Sequence, residues 1–410
     1  MSAQMSEKKI RLNALPMRTY NWMKSNAAEA DLSVFQNIQT QIDFQIETTH
    51  KTCNEEENGI RKETVILPDG VEYSKNAPAS VIEEIFGDRM NTLAALDAAG
   101  IPANGDCLIQ HTGQRIPTGM GHSVDELMAA HTVPVQVYRI ADDLDIKENL
   151  EINIHPAADQ TLVRQVIHVG KNAHVCVLID CYSPRKTSGF LGVQTYILAE
   201  EGADVCVCQV QMMGEDFVVL DDLGGFQEKN SQVKLVRTDL GSKTLYAGVV
   251  MNEAGENADF DFASAYLCRN NQRFDYNHAV TERAANTSSH MRFNGVLLDK
   301  AEKILRYTID FRKGAVSAEG EEAEDVLLLS EDSTNRTIPI ILCQEEDIAG
   351  HHGATIGQMP ENTLFYMESR GFTEEDAKKF IIRAKLLAVV HGMPHCLLRR
   401  RVETYLRDTL

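Results

Sequence analysis

A chain of 410 residues with a formal net charge of −20 can bury a substantial core, and that charge argues against nucleic acid or an anionic membrane as its main partner. No run reaches the roughly eighteen apolar residues of a membrane span, and residues 1–10 lack the apolar segment of a secretory signal, so the expected location is cytoplasmic. Nine cysteines without a Cys-x-x-Cys pair suit free thiols in a reducing compartment, not a disulfide framework or a zinc ribbon.

In chain order, residues 1–105 read as a mixed, partly helical region. Helix-compatible patterns fall at 31–40 and 80–99, with a short strand at 63–67 closed by Pro68-Asp69-Gly70. The segment 15–22 is apolar enough to dock on something and ends in Trp22, the only tryptophan.

The texture changes over residues 106–358. Short β-rich runs occur at 135–140, 150–154, 166–169, 175–179, 195–198 and 205–208, and continue at 234–236, 244–247, 260–262 and 296–298. Turns such as Asn172-Ala173-His174-Val175 and Gly202-Ala203-Asp204-Val205 repeat a small–polar–valine pattern. Many short strands without long intervening helices exclude a doubly wound α/β fold. Repetition at about twenty to thirty residues suggests a solenoid, most simply a parallel β-helix, while the pattern alone leaves a sandwich or jelly roll open. The flanking regions are then candidate caps. Cys206 and Cys208 share one face of a strand and, like Cys176, read as small buried hydrophobes.

Residues 359–410 are helical in pattern. Thr373 and Asp376 outline a capping box, followed at helical spacing by Ala377, Phe380, Ile381, Ala384, Leu387 and Ala388. Gly392 and Pro394 stop this helix. A second, from 395 to 408, carries the basic run Arg399-Arg400-Arg401, which is expected to answer a local acidic surface.

Near the end of the β-rich zone stands the pair His351-His352, just before Gly353 and beside the acidic run Glu345-Glu346-Asp347. Histidine ligates metals and titrates near neutrality, which makes the pair a candidate site. The acidic run offers hard oxygen donors to passing ferrous iron, although a solvated loop is the plainer reading. His278 reads as structural.

The block from Phe274 to about Val390 resembles the core of the SufB/SufD family of iron–sulfur cluster assembly proteins. The similarity is carried by His278 with Thr287-Ser288-Ser289, Gly295-Val296, Arg312-Lys313-Gly314-Ala315 and Thr337-Ile338-Pro339. It continues through His352-Gly353-Ala354-Thr355, Leu364-Phe365-Tyr366, Ser369-Arg370-Gly371 and Glu374-Glu375-Asp376-Ala377. The resemblance implies a mainly β protein: a right-handed parallel β-helix core flanked by N-terminal mixed and C-terminal helical regions. It implies a non-catalytic scaffold subunit that pairs with a SufB-like subunit, or with itself as a homodimer. Each family member carries a SufC-like ABC ATPase on the C-terminal helical region, and a transient iron–sulfur cluster forms at the subunit interface. ATP belongs to that partner, and the chain has no Gly-x-x-x-x-Gly-Lys-Ser/Thr loop. The sequence gives no reading on flavin.

SufB-type chains carry a cysteine fifteen residues before the proline of the Thr-x-Pro element. That position here is Glu324, and the glutamates that flank the key histidine in SufB chains are here His351 and Gly353. These departures point to a SufD-like subunit. By resemblance, His352 is the cluster ligand, with His351 a second ligand, a supporting group or an unrelated surface residue. Cys343 matches a cysteine often found in SufB chains, although the residues around it read as a buried strand thiol. The implied ATPase interface comprises Phe365, Tyr366, Arg370, Gly371, Phe372 and Phe380. The alternatives are a self-paired SufB-like scaffold, a metal-dependent enzyme using the histidines, and a structural or carbohydrate-binding solenoid.

Overall fold

The computed structural model describes residues 9–16, 25–33, 35, 37–41, 44–48, 64–100, 116–156, 159–394 and 396–410. Trp22, Cys53, Cys107 and His395 lie outside them. The N-terminal region contributes strands β1 (Lys9–Leu12), β2 (Ala28–Asp31), β3 (Gln45–Thr48), β4 (Thr64–Leu67) and β5 (Val71–Ala77), then helices α1 (Ser80–Gly100) and α2 (His122–Ala130). There follow β6 (Val135–Ile140), β7 (Leu150–Ile154), β8 (Gln160–Val169), β9 (His174–Tyr182), β10 (Ser188–Ala199), β11 (Asp204–Met212), β12 (Asp216–Gln227) and β13 (Gln232–Asp239). The run continues with β14 (Thr244–Glu253), β15 (Asp259–Cys268), β16 (Arg273–Glu282), β17 (Ser288–Leu297), β18 (Glu302–Phe311), β19 (Ala318–Leu328), β20 (Thr334–Cys343) and β21 (Ile348–Gln358). Helices α3 (Glu361–Ser369), α4 (Glu374–Val390) and α5 (Cys396–Thr409) end the chain.

From β6 onward each pair of strands makes one turn. Even-numbered strands stack in one sheet and odd-numbered strands in the other, all parallel and in register. The result is the expected parallel β-solenoid, with about eight turns. One corner of each turn needs a left-handed residue. Asp143, Asn172, Gly202, Asn230, Asn257, Asn286 and Ser317 take positive φ there, returning about every thirty residues. Side chains of these residues bond along the stack: Asn172 Nδ2 donates to Asp143 at 2.9 Å and Asn257 Nδ2 to Asn230 at 2.8 Å. Inside, alternating residues such as Val175, Val177, Val205, Val207, Phe260 and Phe262 fill a continuous apolar core.

The described residues within 31–40 form no helix. Asp31 ends β2, Gln39 bridges Thr161 of β8, and Phe35 and Ile38 pack on a separate apolar cluster with Leu12 and Phe190. Tertiary pairing overrides a helix-compatible pattern too short to stand alone. Leu15 docks on Ile304 and Ile338, as the apolar segment suggests.

The two flanking regions treat the solenoid ends differently. At the start, β4 and β5 pair antiparallel with β7 and β6, and α1 packs on the first sheet through Ile82, Ile85 and Phe86 against Val137 and Val166. The C-terminal helices do not cap the other end, contrary to the simplest expectation. Helix α4 lies along the outer face of the second sheet, and Ile382, Leu386, Val389 and Val390 sit against Cys208, Val236, Leu267 and Val296. Helix α5 joins the same layer through Leu398, Val402 and Leu406. Among the described residues, strands β20 and β21 therefore remain the uncovered last turn, each paired on one side only.

Candidate functional site

Side-chain direction on the last turn follows from the register. In β20, Ile341 lies beside Ile309 and Cys343 beside Phe311, both interior residues, so Cys343 faces the solenoid mouth. In β21, a Cβ on Gly350 would meet Phe311 and Ile341, whereas one on Gly353 would meet open space. Alternation then turns His352 toward the mouth and His351 to the outside. One ion at the mouth cannot take both imidazoles from one sheet face. His351 stands beside exposed Glu321, and His352 stands beside buried Glu322.

Buried polar side chains sit among apolar ones on the floor below the mouth. Glu324, where the resemblance places the SufB cysteine, is a fully buried carboxylate paired with Lys303. It also accepts from the Tyr266 hydroxyl at 2.7 Å and the Thr337 hydroxyl at 2.5 Å. Its bonding capacity is thus committed to structure, as a buried charge requires. Glu322 is different: both carboxylate oxygens are buried without a hydrogen-bond partner among the described residues, and burial pushes its carboxyl up to about 9. It is protonated at neutral pH. The Tyr307 hydroxyl, also buried, is pushed up by burial and by the two glutamates.

Cys343 is exposed, which corrects the reading of a buried strand thiol, because β20 is an edge strand at the open end. Partial burial and the Asp310 carboxylate push its thiol up. His278 is enclosed by Phe262, Tyr276 and Phe293 and held neutral by burial, a core residue as expected. The acidic run serves the last corner: Glu345 accepts from the Gly314 amide at 3.1 Å, and Asp347 accepts from the Ser317 hydroxyl at 2.9 Å. Among the described residues, Cys343, His351 and His352 do not converge as a set of three donor atoms. Cys343 and His352 share the mouth, and His351 faces away from it.

Beyond the mouth, α3 and the start of α4 carry aromatic residues that the fold does not use. Phe365, Tyr366, Phe372 and Phe380 are exposed, at 72%, 57%, 41% and 57%. Arg370 lies over the Tyr366 ring at 5.1 Å, and Phe372 and Phe380 stand 6.0 Å apart. Gly371, with φ +96, makes the turn between the helices. Thr373 caps α4 by accepting from the Asp376 amide, as its sequence suggests. The apolar stripe read from the sequence is only partly the buried face: Ala377 is buried, and Ile381 and Leu387 pack at the edge of the buried layer. Phe380, Ala384 and Ala388 are exposed, and Ile382, Leu386, Val389 and Val390 are the residues buried on the solenoid. Helix α4 is apolar on two sides, so periodicity could not choose between them. In α5, Arg401 pairs with Asp180 and lies over Tyr182, answering a local acidic group as expected.

Sequence comparisons agree with this architecture. The family description "SUF system FeS cluster assembly, SufBD core domain" matches residues 153–385, more than half of the chain. An iron–sulfur cluster assembly protein SufD of Bacillus subtilis is 20% identical over 59% of this chain and 56% of its own. A SufBD family protein of Staphylococcus epidermidis is 27% identical over 53% of this chain and 47% of its own, and one of Mycobacterium leprae is 26% identical over 56% and 27%. The chain thus spans about half or less of the curated relatives it matches.

Proposed function

This chain belongs to the SufBD family of iron–sulfur cluster assembly proteins, and on that premise we propose that it is a SufD-like, non-catalytic scaffold subunit. In this reading the open end of the solenoid abuts a second β-helix, from a SufB-like subunit, in the cytoplasm. The nascent cluster is cargo held at the junction. His352 supplies an imidazole from this side, with Cys343 on the same mouth, and the partner supplies thiolate. Neutral imidazole beside thiolates suits iron. ATP is hydrolysed by a SufC-like ATPase docked on Phe365, Tyr366, Arg370, Gly371, Phe372 and Phe380, a patch of the aromatic and arginine types that dominate binding energy.

The observation that carries this reading is the last turn, left uncapped by the described residues, where Cys343 and His352 face the mouth and no third donor among the described residues joins them. The replacement of the SufB cysteine by Glu324, locked to Lys303, supports the SufD-like side. Co-expression with a SufB-type and a SufC-type chain tests it. The three are expected to co-purify, with His352→Ala leaving the complex intact while cluster content falls. A chain that captures neither partner overturns the reading, and a stable self-paired form carrying a cluster would favour the homodimeric scaffold.

A further inference from the structure

Three cysteines far from the mouth meet on the outer face of the second sheet. Cys176 of β9 and Cys206 of β11 are register partners, and Cys208 follows two residues later on the same face. Their neighbours Val175, Val177, Val205 and Val207 fill the solenoid interior, so the thiols point outward. All three sulfurs lie within 4.8 Å of one another, and those of Cys206 and Cys208 are 3.9 Å apart. Cys176 and Cys208 are buried in the apolar layer that α4 and α5 complete, while Cys206 remains half-buried and gives a route in.

We propose that Cys176, Cys206 and Cys208 form a trithiolate site for one soft metal ion of the zinc class. Three sulfurs at about 2.3 Å from one ion stand roughly 3.8–4.0 Å apart, close to the spacing already present. Purely apolar packing does not require one of the three thiols to be accessible, nor cations beside it. Lys234 is the register partner of Cys206 on β13, and His174 sits two residues before Cys176 with Nδ1 on Asp204 at 3.0 Å. Bonding from Cys176 and Cys208, aided by Lys234 and His174, favours the thiolate form of Cys206. Metal entry displaces the protons of Cys176 and Cys208 to solvent, so binding weakens on acidification.

The site is independent of the assembly reading. The test is titration of the reduced, metal-free full chain with Zn2+ by calorimetry, together with Cd2+ to report thiolate charge transfer. One ion per chain is expected, with affinity down roughly 100-fold or more in Cys206→Ser, beyond the loss typical of supporting residues. The double variant Cys343→Ser/His352→Ala is expected to bind as the wild type does. X-ray absorption of the zinc-loaded wild type should show three sulfurs, a readout that needs no variant to fold. Absence of stoichiometric binding, binding untouched by Cys206→Ser, or loss confined to the Cys343/His352 variant would each overturn the proposal.

Discussion

Glu322 and Glu324 are two residues apart on one strand, face the same interior and have opposite circumstances. Glu324 is ionically paired with Lys303 and hydrogen-bonded twice more, so deleting one partner strands a buried charge. Lys303→Met is therefore expected to cost about 3–5 kcal/mol in urea unfolding, and the double variant with Glu324→Leu to recover most of it. Comparable losses in the single and double variants would contradict this. Glu322 has no such partner, and its folded-state value of about 9 lies above the unfolded value of 4.5. Below pH 4.5 both states are protonated and nothing is lost. As pH rises through that value the unfolded chain ionises first, so this residue progressively destabilises the fold. Glu322→Gln should gain up to about 3 kcal/mol at pH 7 and almost nothing near pH 4. An equal effect at both pH values would mean that Glu322 is solvated or paired.

At the level of elements, the strands were legible because interior residues alternate and Asn or Gly recurs at most of the corners. The runs 135–140 and 150–154 coincide with β6 and β7. What stayed hidden was anything decided by which neighbour an element meets. The two-sided apolarity of α4 concealed its buried face, and the cysteine at position 343 proved exposed because β20 has no next turn above it. The cysteine trio was half legible: Cys206 and Cys208 share a face, and Cys176 lies thirty residues earlier, one solenoid turn away. The exposed aromatics on α3 and α4 give this scale its prediction. Phe365→Ser with Phe380→Ser should shift stability by no more than about 0.5 kcal/mol, as exposed sites do, yet abolish co-purification with a SufC-type ATPase. Leu386→Ala, on the buried face, should instead cost about 2–5 kcal/mol. Unfolding of the aromatic variant would show that the patch is part of the fold.

For the whole molecule, the asymmetry of the solenoid is the functional statement. One end is joined by antiparallel strands, and the other leaves two parallel edges and a half-furnished mouth exposed, with the helical region moved to the side. Open edges invite pairing with another chain. The proposed scaffold, with cluster ligands split between two subunits, rests on this arrangement. Anaerobic reconstitution with iron and sulfide, read as cluster bound per chain, tests that claim most directly. The isolated chain should hold essentially no cluster, its complex with a SufB-type subunit should hold one, and His352→Ala should pair normally but lose it. A full cluster on the isolated monomer, or an unaltered cluster in the His352→Ala complex, would contradict the account.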